Sequence, residues 1–397
     1  MKLKKWLSVF AVSTLIVGLL AACGADNDTS SGESGETNDS DTIKIGVNLE
    51  LSGAVASYGT SEAAGIDLAV EEINAAGGIE GKQIEIVKID NKSDNAEATS
   101  AAIRLAEQDK VVAIIGAATS GATVAQAQIA NDKQVPLISP SGTSPSVTVR
   151  EDGGVNEYVF RTSFIDPFQG TVAANFAANE LKVKNVAIYS DNASDYSKGL
   201  AASFKKDFEA AGGKIVANES YVAKDPDFRS TLTRIKSADP EFIFIPGYYE
   251  EVGLIVKQAR EMGIDVPLMG ADGWDSPILL DLAGAEALNN TFTTNHYSSE
   301  DPDGKIQEFS KKFEGKYGKA PDAFNALGYD TVYLLADAIK RAGGADSVKI
   351  KDALAETKDL ELITGLYSVD ENHHPIKSAT ILEYQDGETV FKTKVNP

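Results

Sequence analysis

Short apolar runs of strand length alternate with amphipathic stretches of helix length along most of the chain. Ile43 to Leu49 predicts a strand, and Ser61 to Ala76 predicts a helix closed by Gly77-Gly78. Gln83 to Asp90 alternates apolar and polar positions like a strand, and Asn95 to Gln108 has helical spacing. Val111 to Ile115 is continuously apolar, as a strand buried on both faces should be. A helix near Thr123 to Asn131 and a strand Pro136 to Ser139 complete a βαβαβαβ pattern, the signature of a parallel sheet covered by helices.

The pattern then restarts. Tyr158 to Thr162 leads into a helix from Pro167, followed by strand Asn185 to Ser190, helix Asp195 to Ala211 and strand Lys214 to Tyr221. Helix Phe228 to Ala238, strand Phe242 to Pro246, helix Glu250 to Met262 and strand Pro267 to Gly270 follow. Ala75-Ala76-Gly77-Gly78 recurs as Ala210-Ala211-Gly212-Gly213, each between a helix and a strand. After Asn295 the chain turns helical, with a long amphipathic stretch from Phe324 to Arg341. Strands Leu366 to Val369, Ser378 to Tyr384 and Thr389 to Thr393 end it, the last two joined across Asp386-Gly387, a hairpin signal. The class is α/β, with two doubly wound parallel-sheet lobes and no Ser/Gly/Pro linker between them. Ligands of such sheets bind at the carboxyl ends of strands, and two lobes can face those ends across a cleft.

The N-terminus breaks the pattern. Lys2, Lys4 and Lys5 precede an apolar run from Leu7 to Leu20, the length of a secretory leader rather than a membrane span. It ends in Leu20-Ala21-Ala22-Cys23-Gly24, which resembles a bacterial lipobox, and Cys23 is the only cysteine. Residues 1–22 then read as a lipoprotein signal peptide and Cys23 as the lipidation site, anchoring the protein on the outer face of the cell membrane. Residues 23–41 carry six acids, no Lys or Arg, and read as a disordered acidic tether.

Composition removes whole classes of function. Lys plus Arg total 37 against 59 Asp plus Glu, a net charge of -22, which repels nucleic acid. One cysteine and three histidines exclude a disulfide framework and leave little for metal or nucleophilic chemistry. No G-x-S-x-G, H-E-x-x-H or G-x-G-x-x-G occurs, so no enzyme, cofactor or metal is expected. His373-His374 read as a solvated turn.

The candidate chemistry lies at strand ends. Gly116-Ala117-Ala118-Thr119-Ser120-Gly121-Ala122-Thr123 has the outline of a P-loop, but Ala122 stands where the lysine is needed. A helix N-terminus with the hydroxyls of Thr119, Ser120 and Thr123 suits a single small anion such as a carboxylate; plain helix capping explains it equally. Ser139-Pro140-Ser141-Gly142-Thr143 follows the next strand. Gly247-Tyr248-Tyr249 and Gly270-Ala271-Asp272-Gly273-Trp274 do so in the second half.

Together with the lipobox, several motifs in order resemble the leucine/isoleucine/valine-binding proteins, substrate-binding components of branched-chain amino acid ABC transporters. They are Ile45-Gly46-Val47-Asn48-Leu49, Ile73-Asn74-Ala75-Ala76-Gly77-Gly78-Ile79, Ile138-Ser139-Pro140, Phe160-Arg161-Thr162 with Asp166 and Gln169-Gly170, and Gly247-Tyr248-Tyr249. The resemblance implies the type I periplasmic-binding-protein fold with three crossovers. Lobe 1 would span 42–162 plus 292–368, and lobe 2 would span 163–291 plus 369–397. It also implies a monomer that binds an amino acid and docks on a membrane permease. Ser120, with Thr119 beside it, and Thr143 would hold the ligand's α-carboxylate. A carbonyl near Ser141 or Gly142, Thr143 and Asp272 would take its ammonium, and Tyr58, Tyr196 and Tyr248 would line the side-chain pocket. The best-known branched-chain binders carry glutamate where this chain has Asp272, followed here by Trp274 as a further pocket residue. That departure makes the amino-acid class firmer than the choice among leucine, isoleucine and valine. Another small amine, amino acid or amide on the same fold, a ligand sensor and a secreted hydrolase are the alternatives.

Overall fold

The computed structural model describes residues 42–397; the leader, Cys23 and the tether lie outside the described residues. The first half builds a five-stranded parallel sheet. β1 (Thr42–Leu49), α1 (Ala56–Ala75), β2 (Gln83–Asp90), α2 (Asn95–Glu107), β3 (Ala113–Ile115), α3 (Ser120–Lys133), β4 (Leu137–Ser139) and β5 (Val159–Arg161) follow one another. The sheet order is β2-β1-β3-β4-β5. β3, β4 and β5 are buried throughout; β3 is apolar at every position, while β4 ends in Ser139 and β5 in Arg161.

The chain then crosses to a second sheet through α4 (Asp166–Asn175). β6 (Asn185–Asp191), α5 (Asp195–Ala210), β7 (Lys214–Tyr221), α6 (Arg229–Ser237), β8 (Phe242–Phe244), α7 (Tyr249–Glu261) and β9 (Leu268–Gly270) repeat the alternation. Two short helices, α8 (Pro277–Ala283) and α9 (Ala285–Leu288), lead to β10 (Thr291–Asn295), which pairs in parallel with β9. The crossing back therefore lies after Asn295 rather than at 292. The hydrophobic pattern does not foretell β10: its sequence, TFTTN, has no apolar alternation, and its β-branched threonines are all buried.

The return carries α10 (Gly304–Tyr317), α11 (Ala323–Ala342) and α12 (Ser347–Ala355). α1 and α11 approach closely because both lack a side chain at the contact. A Cβ on Gly65 would come within 1.9 Å of the Asn325 carbonyl oxygen, and one on Gly328 within 2.3 Å of the Glu62 carbonyl oxygen. A small three-stranded sheet of β11 (Leu360–Leu362), β12 (Gly365–Val369) and β13 (Pro375–Ile376) precedes a last crossing. β14 (Ala379–Gln385) and β15 (Glu388–Val395) close the seven-stranded sheet, ordered β15-β14-β10-β9-β8-β6-β7, with β14 and β15 antiparallel. The chain thus passes between the sheets three times.

Candidate ligand-binding site

A small cavity of about 10 Å3 lies between the carboxyl ends of the two sheets. On the first-sheet side, Thr119 and Ser120 stand at the start of α3, and Ser141 and Thr143 on the loop after β4. On the other, Tyr196 opens α5, Tyr248 precedes α7, and Asp272 and Gly273 follow β9. Tyr58 of α1, Ala118 and Phe324 of α11 complete the wall.

Two hydroxyls are aimed into this space without full use. The Thr143 Oγ1 is buried beside the Asp166 carboxylate, and neither group completes a close hydrogen bond. Ser120 Oγ accepts the Ser144 N–H at 3.1 Å, which leaves its own proton to be donated. Thr119 differs: its hydroxyl (2.7 Å) and N–H (3.1 Å), with the Ala118 N–H (3.0 Å), all donate to Glu50. Sequence reasoning does not single out Glu50, because its pairing with a turn 68 residues away leaves no local pattern.

The loop carrying Thr143 is held from behind by Arg161, which is fully buried. Its guanidinium donates to the Gly142 and Ser144 carbonyls, each at 2.8 Å, and to Thr148 Oγ1 at 3.0 Å. Burial lowers its pKa to about 10, so it stays charged at neutral pH. Gly142 is off the cavity wall, and its carbonyl, a candidate ammonium acceptor, is occupied by Arg161. Ser141 donates to the Ala118 carbonyl at 2.8 Å and contacts Glu62. A serine has one proton to divide between these two acceptors, and burial raises the Glu62 pKa.

Opposite stands Asp272, 3% exposed. Its Oδ1 accepts the Gln169 Nε2–H at 2.9 Å and the Tyr196 hydroxyl at 2.8 Å, and its Oδ2 lies 3.1 Å from His296 Nε2. Burial lowers the His296 pKa, which favours the neutral ring, and a carboxylate oxygen at this distance requires the proton on Nε2. Gln169 also accepts the Asp272 N–H at 3.0 Å and the Thr294 hydroxyl at 2.7 Å.

Between these poles the walls are aromatic. Tyr196 and Tyr248 stack at 5.0 Å, Tyr58 and Phe324 stack at 4.4 Å, and Tyr58 meets Tyr248 edge-on at 5.7 Å. The Tyr58 hydroxyl donates to the Gly273 carbonyl and accepts the Tyr249 N–H, and the Tyr196 hydroxyl accepts the Gly273 N–H. With those hydroxyls engaged, the rings present apolar surface.

Eight of the ten sequence-derived ligand residues thus meet on one cavity: Tyr58, Thr119, Ser120, Ser141, Thr143, Tyr196, Tyr248 and Asp272. Trp274 does not. Its indole folds back over Gly270 and donates to the Ile245 carbonyl at 3.0 Å, fully buried in the core. Phe324, Gln169 and His296 escape the sequence reading as site residues, although Gln169 sits in one of the family motifs. His373 is also not solvated: it is buried, stacked on Phe160 at 4.1 Å.

Asp275 does not cap the following helix, a task that Ser276 performs. It accepts the Asn295 amide and the Ala323 N–H, each at 2.9 Å, tying the loop after β9 to β10 and to the start of α11. Burial and the nearby Asp322 charge raise its pKa from 3.8 to about 7. An acid raised on folding binds more protons in the native state, so stability falls as pH rises from about 4 to 7. Asp275→Asn is expected to lose that slope. Its stability relative to wild type should climb across this window by about 1–4 kcal/mol, ~1.4 kcal/mol per pH unit. Denaturant titrations at pH 5 and 8 read it, and parallel pH profiles would refute it.

The family model of periplasmic binding proteins matches residues 42–389. The chain belongs to the periplasmic binding protein family. A leucine-, isoleucine-, valine-, threonine- and alanine-binding protein of Pseudomonas aeruginosa is 34% identical over 83% of this chain and 86% of its own. Among solved structures, the branched-chain amino acid transporter substrate-binding protein LivJ from Streptococcus pneumoniae, in complex with isoleucine, is 45% identical with a TM-score of 0.84. The match covers 90% of this chain and all of that one. A solute-binding protein from R. palustris in complex with benzoate is 26% identical, covering 90% and 97%, with a TM-score of 0.80. These matches bear out the family resemblance and the type I fold read from the motifs, and the relatives are binding proteins rather than enzymes.

Proposed function

We propose that the protein is the lipid-anchored, extracytoplasmic substrate-binding component of an ABC importer, closing on one aliphatic L-α-amino acid and handing it to a membrane permease. The observation that carries this reading is the polarity of the cavity. The Thr143 hydroxyl and the Ser120 hydroxyl, which accepts one hydrogen bond and keeps its proton to donate, face the Asp272 carboxylate across aromatic walls whose Tyr58 and Tyr196 hydroxyls are already bonded. A zwitterion with an apolar side chain satisfies all three parts. The ligand names of the Pseudomonas aeruginosa and Streptococcus pneumoniae relatives support the same class. An aromatic carboxylate, as on the R. palustris neighbour, would leave Asp272 facing no cation.

Contacts between elements of the two sheets support reading this arrangement as a closed state. Ser57 and Ser276 hydroxyls meet at 2.7 Å, and the Tyr249 hydroxyl donates to the Ala54 carbonyl at 2.9 Å. A ligand gripped from both sides shifts the population toward that state. Small-angle scattering is expected to show a smaller radius of gyration with saturating leucine than without. An unchanged radius in a protein that opens when Tyr58→Ala removes a bridging contact would count against ligand-driven closure.

Anchoring rests on Cys23 ending a lipobox-like run. Metabolic fatty-acid labelling in a lipobox-processing host is expected to mark the wild type and spare Cys23→Ala. Equal labelling of both would overturn it.

A further inference from the structure

The Asp272 carboxylate has about four acceptor positions. Three are filled from within the protein: Gln169 and Tyr196 on Oδ1, and His296 on Oδ2. One position on Oδ2 is left, and Asp272 lines the cavity. His296 is 4% exposed, its ring stacks on Phe164 at 3.6 Å, and its Nδ1 has no partner. Nothing else in its hydrogen bonding explains a histidine here: the Nε2–H to Asp272 is the one polar task of the ring.

We propose that His296 is a positioning residue that sets the protein's preference for an ammonium over a neutral group, by holding Asp272 with one acceptor turned to the ligand. This rests on the reading of Asp272 as the ammonium acceptor. A neutral imidazole donates a hydrogen bond without adding a positive charge, so it fixes the carboxylate while leaving its charge for the ligand. A lysine or arginine in the same place would fix it equally and cancel that charge. Phe164 and His296 belong to the first and second chain crossings, so the ring also fixes the ammonium acceptor to the segments about which the sheets would move.

The test compares L-leucine with L-2-hydroxy-4-methylpentanoate, the same skeleton with hydroxyl in place of ammonium, titrated calorimetrically or by displacement. His296→Phe keeps the stack on Phe164 and removes the donor; His296→Leu is the second variant should the larger ring not fit. The preference for leucine is expected to fall at least tenfold in either, and to return to within threefold of wild type in His296→Gln, which restores an N–H donor. A merely structural role would weaken both ligands alike. An unchanged preference, or equal losses on both ligands, overturns the proposal. Asp272→Asn runs alongside: if it too leaves the preference unchanged, the ammonium assignment itself fails, rather than the role of His296.

Discussion

Alanine at position 272 is expected to weaken leucine binding by about 30-fold to several thousandfold. The side chain is 3% exposed and faces the cavity. Removing it from beside a buried ammonium leaves that charge unpaired, a loss of about 2–5 kcal/mol. Asp272→Asn should bind poorly as well, because the amide retains the shape and loses the charge. Its N–H2 would also confront the donors of Gln169, Tyr196 or His296. Both variants strand buried donors, at about 1–3 kcal/mol for each left unsatisfied, so a lower melting temperature should accompany the lost affinity. Calorimetric titration reads the first effect and thermal unfolding the second. Binding by Asp272→Ala within threefold of wild type would mean that the ammonium site lies elsewhere.

The second large effect concerns Arg161, which is not itself part of the cavity wall. Arg161→Met should cost about 2–6 kcal/mol of stability, because the buried carbonyls of Gly142 and Ser144 lose their donors, about 1–3 kcal/mol each. Affinity should fall by about tenfold or more with it, since Thr143 lies between those two carbonyls and an ångström of misplacement is costly to an aligned donor. Arg161→Lys should recover part of the stability: an ammonium is a point donor and cannot reproduce the planar fork that meets Gly142, Ser144 and Thr148 together. Chemical denaturation with parallel ligand titration decides it. A methionine variant as stable as wild type would show that the loop is held by its own turns.

Particular residues mark how far the fold and the site are legible in the amino-acid sequence. The strands Gln83–Asp90 and Lys214–Tyr221 can be read to the residue, because turns bound their lengths and their partners lie on one side. Ser120, Thr143 and Asp272 are legible as a set because parallel sheets put ligands at strand ends, and the family motifs give the order of those ends. Trp274 follows the same logic and fails, since the absence of a side chain at Gly270 lets the indole turn inward. That vacancy depends on a residue four positions back and on the packing of β8 and β9. His296 is illegible for a different reason. It follows a strand of buried threonines with no apolar period, and its two partners, Phe164 and Asp272, are brought to it only by crossings of the chain. Glu62 likewise looks like an ordinary helix-surface acid until α11 covers it.

The claim at the centre of this account is that the cavity takes a zwitterion, carboxylate toward Ser120 and Thr143 and ammonium toward Asp272. Calorimetric titration of the unliganded protein with L-leucine, L-isoleucine, L-valine and benzoate tests it most directly. The account predicts saturable one-to-one binding of at least one of the three amino acids, and benzoate weaker than that amino acid by tenfold or more. Benzoate binding as tightly as the best amino acid, or no heat from any of the three, would contradict it.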